Sequence, residues 1–104
     1  MLKILSIIPA RSNSKRIKNK NIIKYKNKPL IAHSILQSLN SKLISRTIVS
    51  TDSKKYAKIA LKYGAEVPFI RPKNISKDES TDLECFKHCL NFLKKEEKYI
   101  PDII

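Results

Sequence analysis

The 104-residue sequence predicts an α/β fold: a parallel sheet with helices packed on its faces. Three observations predict it. Short apolar runs alternate with segments whose apolar residues recur every three or four positions. The first run is nearly continuous, as in a strand buried on both faces. Pro9, the single glycine Gly64 and Pro72 punctuate the pattern between segments.

Residues 2–8 form the first apolar run and read as a buried parallel strand ending at Pro9. Residues 10–21 are polar and basic and read as a loop. Asn13 and Asn27 stand where glycine would be expected, and Asn tolerates positive φ, so sharp turns are allowed at both. Pro29-Leu30 opens a helix in which Ile31, Ile35 and Leu39 repeat every four residues, beside Ala32 and Leu36. Residues 47–50 read as a second strand. Asp52 or Ser53 caps the next helix, whose inner stripe is Tyr56, Ile59, Ala60 and Tyr63. Gly64 falls where a helix end needs a left-handed residue. Residues 67–70 read as a third strand. Leu83, Phe86, Leu90 and Leu93 predict a helix over 81–97, and 101–104 begin a fourth strand. A parallel sheet that breaks off there predicts an apparently truncated domain, a fragment or a shortened reading frame.

Length limits the chain to one domain or part of one, with a core burying roughly two-thirds of the unfolded surface. No apolar run approaches the ~18 residues that span a bilayer. The run at 4–8 is too short for a signal peptide and is followed at once by Arg11, Lys15 and Arg16, so the expected compartment is the cytoplasm. Cys85 and Cys89 lie one helical turn apart. With His88 they suggest metal ligands, but no second ligand pair exists, and apolar thiols facing the core is the favoured reading. The net charge of +13 admits nucleic acid, a membrane surface or a small polyanion as partner. The excess lysine is scattered and the aromatics do not interleave with it, which argues against a single-strand stacking platform.

In a parallel sheet, ligands bind beyond the carboxyl ends of the strands. The stretch from Pro9 to Asn21 leaves the first strand at that edge. It concentrates Arg11, Lys15, Arg16, Lys18 and Lys20, with small polar residues between them that leave backbone N–H groups open to anions. That combination suits a triphosphate; the alternative is a solvated basic loop. Neither a Gly-x-x-x-x-Gly-Lys-Ser/Thr loop nor a Gly-x-Gly-x-x-Gly turn is present, which removes the P-loop and dinucleotide readings.

The loop resembles the N-terminal signature of the acylneuraminate cytidylyltransferases, which make CMP-sialic acid and related CMP-sugars. Ala10-Arg11-Ser12-Asn13-Ser14-Lys15 is followed by Lys20-Asn21. Lys28-Pro29-Leu30-Ile31, Val49-Ser50-Thr51-Asp52, Tyr63-Gly64-Ala65-Glu66-Val67, Pro68-Phe69-Ile70-Arg71-Pro72 and Ser76-Lys77-Asp78-Glu79-Ser80-Thr81-Asp82-Leu83 follow in the same order. His88 stands where the family often has His-Ala-Leu. Asn13 departs from the family's glycine, and Asp82 from its usual Ser or Thr.

The resemblance implies a Rossmann-like nucleotidyltransferase fold, with residues 1–104 as the N-terminal, CTP-binding part. It implies that CMP passes from CTP to the anomeric hydroxyl of a sialic-acid-like 2-keto sugar acid, releasing pyrophosphate. Pseudaminic, legionaminic and 3-deoxy-octulosonic acids are alternative acceptors, and a small basic nucleic-acid-binding module is the reading from another class. Arg11 and Lys20 are implied to hold the triphosphate as catalytic groups, with Lys15 assisting. Asn21, Arg71 and Ser80 match further CTP-binding positions. Asp82 either meets the cytosine amino group or caps the last helix, and Asp52 is read as a helix cap. Mg²⁺ is the implied cofactor, with its ligands and the homodimer contacts in a C-terminal part outside this chain. No membrane or nucleic-acid partner is expected.

Overall fold

The computed structural model describes residues 2–11, 24–76 and 81–104. Strand β1 (Leu5–Pro9) pairs in parallel with β4 (Arg46–Ser50), in a register running from Leu5 opposite Arg46 to Pro9 opposite Ser50. Between them lie a two-residue hairpin, β2 (Lys24–Tyr25) with β3 (Lys28–Pro29), and helix α1 (Leu30–Leu39). The hairpin turns through Lys26 and Asn27, both at positive φ (49° and 68°). Two consecutive left-handed residues give the turn whose twist suits a tight hairpin, so Asn27 does what its type allows. Asn13 lies outside the described residues.

Helix α2 (Lys54–Lys62) follows β4, and α3 (Asp82–Glu97) follows a short 3₁₀ turn (Lys73–Ile75). Gly64 ends α2 at φ 100°, with Leu39 Cδ1 only 3.0 Å from where a Cβ would stand. The left-handed conformation is what favours glycine there; the Leu39 methyl ends an exposed side chain and can give way.

The predicted third strand is corrected by the structure, and the start of a fourth is present as a single bridge. Residues 67–70 form no strand: among the described residues one parallel bridge, Ile48 with Glu66, extends the sheet beyond β4. Pro68 lacks an N–H, which prevents a regular ladder from continuing. On the other side of β1, among the described residues, one bridge joins Ile4 with Ile103. The main-chain bonds agree: Val49 N–H donates to Glu66 O at 2.9 Å, and Leu5 N–H to Ile103 O at 2.8 Å.

Lateral order across the sheet is thus Glu66, β4, β1, Ile103. Numbered along the chain this is 3-2-1-4, the order of one doubly wound family of sheets. Side chains alternate across it. Ile8, Ala10 and Val49 pack with Ile31 and Ile35 of α1 and Tyr56 and Ala60 of α2. Leu5, Ile7 and Ile48 pack with Cys89, Leu90, Phe92 and Leu93 of α3. Helices α1 and α2 cover one face and α3 the other. The chain changes face, and reverses its lateral progress, between β1 and the segment at Ile103. That switch point opens a crevice at the carboxyl end of β1.

Candidate functional site

The segment that leaves β1 into this crevice is Pro9-Ala10-Arg11. Ala10 is fully buried, and its N–H donates to Ser50 O at 2.9 Å, carrying the ladder one residue beyond β1. The backbone is therefore fixed up to the residue before Arg11. Arg11, the next residue, is half-buried. Lys15, Lys20 and Asn21, and also Ser80, lie outside the described residues.

The carboxyl end of β4 is equally ordered. Ser50 and Thr51 are fully buried. Thr51 Oγ1 accepts from Ser53 N–H at 3.1 Å, and Ser53 Oγ accepts from Tyr56 N–H at 3.2 Å. Ser53 is thus the N-cap of α2, and Asp52 is not. The same one-residue correction holds at α3. Thr81 Oγ1 accepts from Glu84 N–H at 3.1 Å, while Asp82 lies exposed in the first turn. A hydroxyl on an extended residue reaches back to the third N–H, whereas a residue already inside the helix cannot; Asp82 instead places its charge at the positive helix end.

Arg71 is brought to this edge. Only 4% of it is exposed. Its N–H donates to Thr51 O at 2.7 Å, its Nε to Ser50 Oγ at 3.1 Å and its Nη2 to Ser50 O at 2.8 Å. The Ser50 carbonyl therefore accepts from both Ala10 N–H and Arg71 Nη2. One oxygen joins the loop after β1, the end of β4 and the segment before the 3₁₀ turn. Ser76 Oγ donates to Pro72 O at 2.7 Å and closes that turn.

Beneath Arg71 lies an aromatic group. His88 of α3 meets Phe69 edge-on, with centroids 4.7 Å apart and planes at 88°. Phe92, one turn further along α3, lies 5.0 Å from Phe69. Burial, and then the Arg71 charge, hold the His88 imidazole below its ordinary protonation range. Its Nδ1 is buried and has no hydrogen-bond partner among the described residues.

Chemically this edge is suited to an anion. Arg11 leaves the carboxyl end of β1, Arg71 is bonded at the carboxyl end of β4, and Lys54 and Lys55 occupy the first turn of α2. Among the described residues no group of three His, Cys, Asp or Glu side chains could hold a metal ion. The described residues do not fit a protein-built Mg²⁺ site. Cys85 and Cys89 are fully buried free thiols, and Cys89 belongs to the α3-side core with Leu5, Ile48 and Leu93. Burial, then the neighbouring Cys85, pushes the Cys89 thiol up to about 12, so it is a poor ligand and a poor nucleophile. No described helix is long and apolar enough to cross a membrane.

Sequence reasoning did not single out Ser50, whose carbonyl accepts from both Ala10 N–H and Arg71 Nη2. A serine at a strand end carries no periodic signal; only its burial against two donors reveals it.

A family model described as "Cytidylyltransferase" matches residues 5–103. The chain is 42% identical over 97 residues to a pseudaminic acid cytidylyltransferase of Campylobacter jejuni, covering 93% of this chain and 42% of that protein. It is 40% identical over 97 residues to an N-acylneuraminate cytidylyltransferase of Escherichia coli, covering 93% and 23%. It is 46% identical over 79 residues to a CMP-N,N'-diacetyllegionaminic acid synthase of Legionella pneumophila, covering 76% and 34%. The chain thus spans less than half the length of these curated relatives.

Proposed function

The chain belongs to the cytidylyltransferase family, and from that premise we propose that it is the CTP-holding part of a CMP-sugar synthase. The reaction is nucleotidyl transfer. The anomeric hydroxyl of a sialic-acid-like 2-keto sugar acid attacks the α-phosphorus of CTP. The new O–P bond forms as the bond to pyrophosphate breaks, and the hydroxyl proton is lost.

The observation that carries this reading is the position of the Ala10-Arg11 segment, pinned to Ser50 at the switch-point crevice of a 3-2-1-4 sheet. The names of the relatives add the donor. They differ in sugar, pseudaminic, acylneuraminic or diacetyllegionaminic, at similar identity to this chain. What those enzymes have in common is the cytidylyl donor. The part of them that matches here is accordingly read as the donor-binding part, and the sugar acid is left to the remainder.

In this reading Arg11 and Lys20 hold the triphosphate and offset charge that grows on the departing pyrophosphate. Lys15 assists, and Asn21 and Ser80 contact the nucleotide. Arg71, held at the strand edge, supplies a fixed positive field near it. Mg²⁺ is proposed to enter with the triphosphate, ligated by groups other than those described. A homodimer is the proposed state of the whole enzyme, and the cytoplasm its compartment.

Calorimetric titration of the chain with CTP, UTP and GTP tests the proposal. CTP should bind at least about tenfold more tightly than the others, a difference of about 1.4 kcal/mol. Arg11→Ala and Lys20→Ala should abolish the preference for triphosphate over cytidine. Equal affinity for all three nucleotides, or none for CTP, would sink the reading.

A further inference from the structure

Residues 100–104 leave an apolar edge open on the sheet. Ile103 is tied inward: its N–H donates to Lys3 O at 3.2 Å, and its carbonyl accepts from Leu5 N–H at 2.8 Å. Asp102, the one charged residue in this stretch, is turned onto the Lys3 N–H, which donates to Oδ2 at 2.7 Å. Beyond that fastening nothing continues the sheet among the described residues. Neither Ile100 nor Ile104 makes a hydrogen bond among them. Ile100, Ile103 and Ile104 stand 60%, 48% and 57% exposed. A strand edge left open in this way templates further pairing unless charge or another element covers it.

A cleft of about 340 Å³ lies beside this edge, lined by Leu90 of α3 and by Tyr99, Ile100, Pro101 and Ile104. Its Tyr99 wall is fixed in advance. Tyr99 N–H donates to Leu93 O at 3.0 Å, and the ring carries Arg46 at 4.6 Å and Lys3 Nζ at 5.5 Å from its centroid. An apolar cleft beside an open strand edge suits an extended polypeptide: main-chain bonds run along the edge, and alternate side chains enter the cleft. Two facts name the polypeptide. The cytidylyltransferase family model matches as far as residue 103, so this edge lies within the family's own domain. The matched pseudaminic acid relative has less than half its length in that match, so most of such an enzyme remains to cover the edge. A second copy of this chain is disfavoured as occupant by the net charge of +13 that each copy carries.

We propose that the Ile103 edge and the cleft beside it are a docking surface for the part of a cytidylyltransferase that this chain does not contain. That part enters as a strand beside residues 103–104 and sets an apolar side chain in the cleft. The surface is already formed in this chain, so it captures a separate polypeptide as well as a joined one. The inference rests on family membership and not on the CTP reading above.

The test titrates the whole chain with the segment of the Campylobacter jejuni pseudaminic acid cytidylyltransferase that follows its matched residues, read by calorimetry and sedimentation. A one-to-one complex should form. Ile104→Asp should weaken it at least about tenfold, because a carboxylate loses its water in an apolar cleft, and Ile100→Asp should do the same. Both side chains are more than half exposed in the free chain, so its Tm should move no more than a surface substitution moves it. Leu61→Asp, at a comparably exposed leucine of α2, should leave the complex unchanged. Absence of a complex, or a complex that neither edge variant weakens, would overturn the proposal. So would a dimer of the chain itself that Ile104→Asp dissolves, since the edge would then serve a second copy. Titration of the chain alone with CTP reports on the nucleotide reading separately, so failure of one reading is distinguishable from failure of the other.

Discussion

Arg46 at the amino end of the sheet and Arg71 at its carboxyl end are both largely withdrawn from water, yet they are held in opposite ways. Arg46 donates Nε and Nη2 to the two oxygens of Glu66, at 3.0 and 2.6 Å, and Nη1 to Glu97 at 3.1 Å. Its guanidinium also stacks over Tyr99, 4.6 Å from the ring centroid. Hydrogen bonding to Glu66, above all, drives its pKa further up, so it stays charged throughout. Beside it Lys3 N–H donates to Asp102 at 2.7 Å. Among the described residues no carboxylate pairs with Arg71, whose side-chain bonds end on Ser50. One arginine is neutralised by carboxylates of its own chain; the other, among the described residues, is not. Structural cations are neutralised in place, whereas an anion site must leave positive charge uncompensated.

The comparison predicts that mutations at the two ends separate stability from binding. Arg46→Ala should have the largest effect on stability. It strands two half-exposed carboxylates and removes a stacked guanidinium, costing about 2 kcal/mol after discounting for solvent screening. Chemical denaturation would measure this, with CTP affinity of the folded fraction unchanged. Arg46→Lys should recover little of it, because an ammonium cannot bond both Glu66 oxygens in the forked geometry.

At the other end, Lys20→Ala should weaken CTP binding by about 2 kcal/mol, some thirtyfold in Kd, through loss of a charge-assisted phosphate bond. Tm of the free chain should move by no more than a surface substitution does. A large Tm loss without change in Kd would invert the comparison.

Smaller effects sharpen it. Thr81→Ala removes the cap of α3 and should cost about 1 kcal/mol, read by denaturation. Lys98, at φ 52°, ends α3 in a left-handed conformation, with Tyr99 N–H donating back to Leu93 O at 3.0 Å. Lys98→Gly should stabilise by about 0.5–1 kcal/mol, because glycine adopts that conformation without a Cβ penalty.

A pH series gives the smallest signal. The folded chain holds His88 below its ordinary value, so the unfolded chain binds the proton more readily. The stability that neutral His88 contributes is complete above about pH 6.5 and is lost as pH falls through the lower, folded value. Tm should decline over that window in wild type and less so in His88→Phe. Parallel curves for the two would refute the assignment.

Much of this was legible in the residue order. The repeat of Ile31 and Ile35, the stripe of Tyr56 and Ala60, and the glycine at position 64 each express a local rule, so α1, α2 and the end of α2 follow from neighbours a few positions apart. The basic stretch after Pro9 and the motifs that resemble a cytidylyltransferase are likewise linear features. The third strand was overread because the apolar character of 67–70 was weighed above Pro68, which interrupts the ladder. The cap of α2 was left between Asp52 and Ser53, and that of α3 was misplaced by one residue, because Asp, Ser and Thr all satisfy the same local preference.

What only the tertiary structure decided is pairing between residues far apart in the chain. Residue order alone did not reveal that the segment at Ile103 lies beside β1 while that at Glu66 lies beside β4, and this lateral order creates the crevice. Nor did it distinguish Arg46 from Arg71, since the two are the same residue type and differ only in what the fold brings to them. The sequence determined a basic loop leaving a buried strand, and with it the family. The fold determined which arginine is paired with carboxylates among the described residues, because charge compensation depends on three-dimensional neighbours and not on position along the chain.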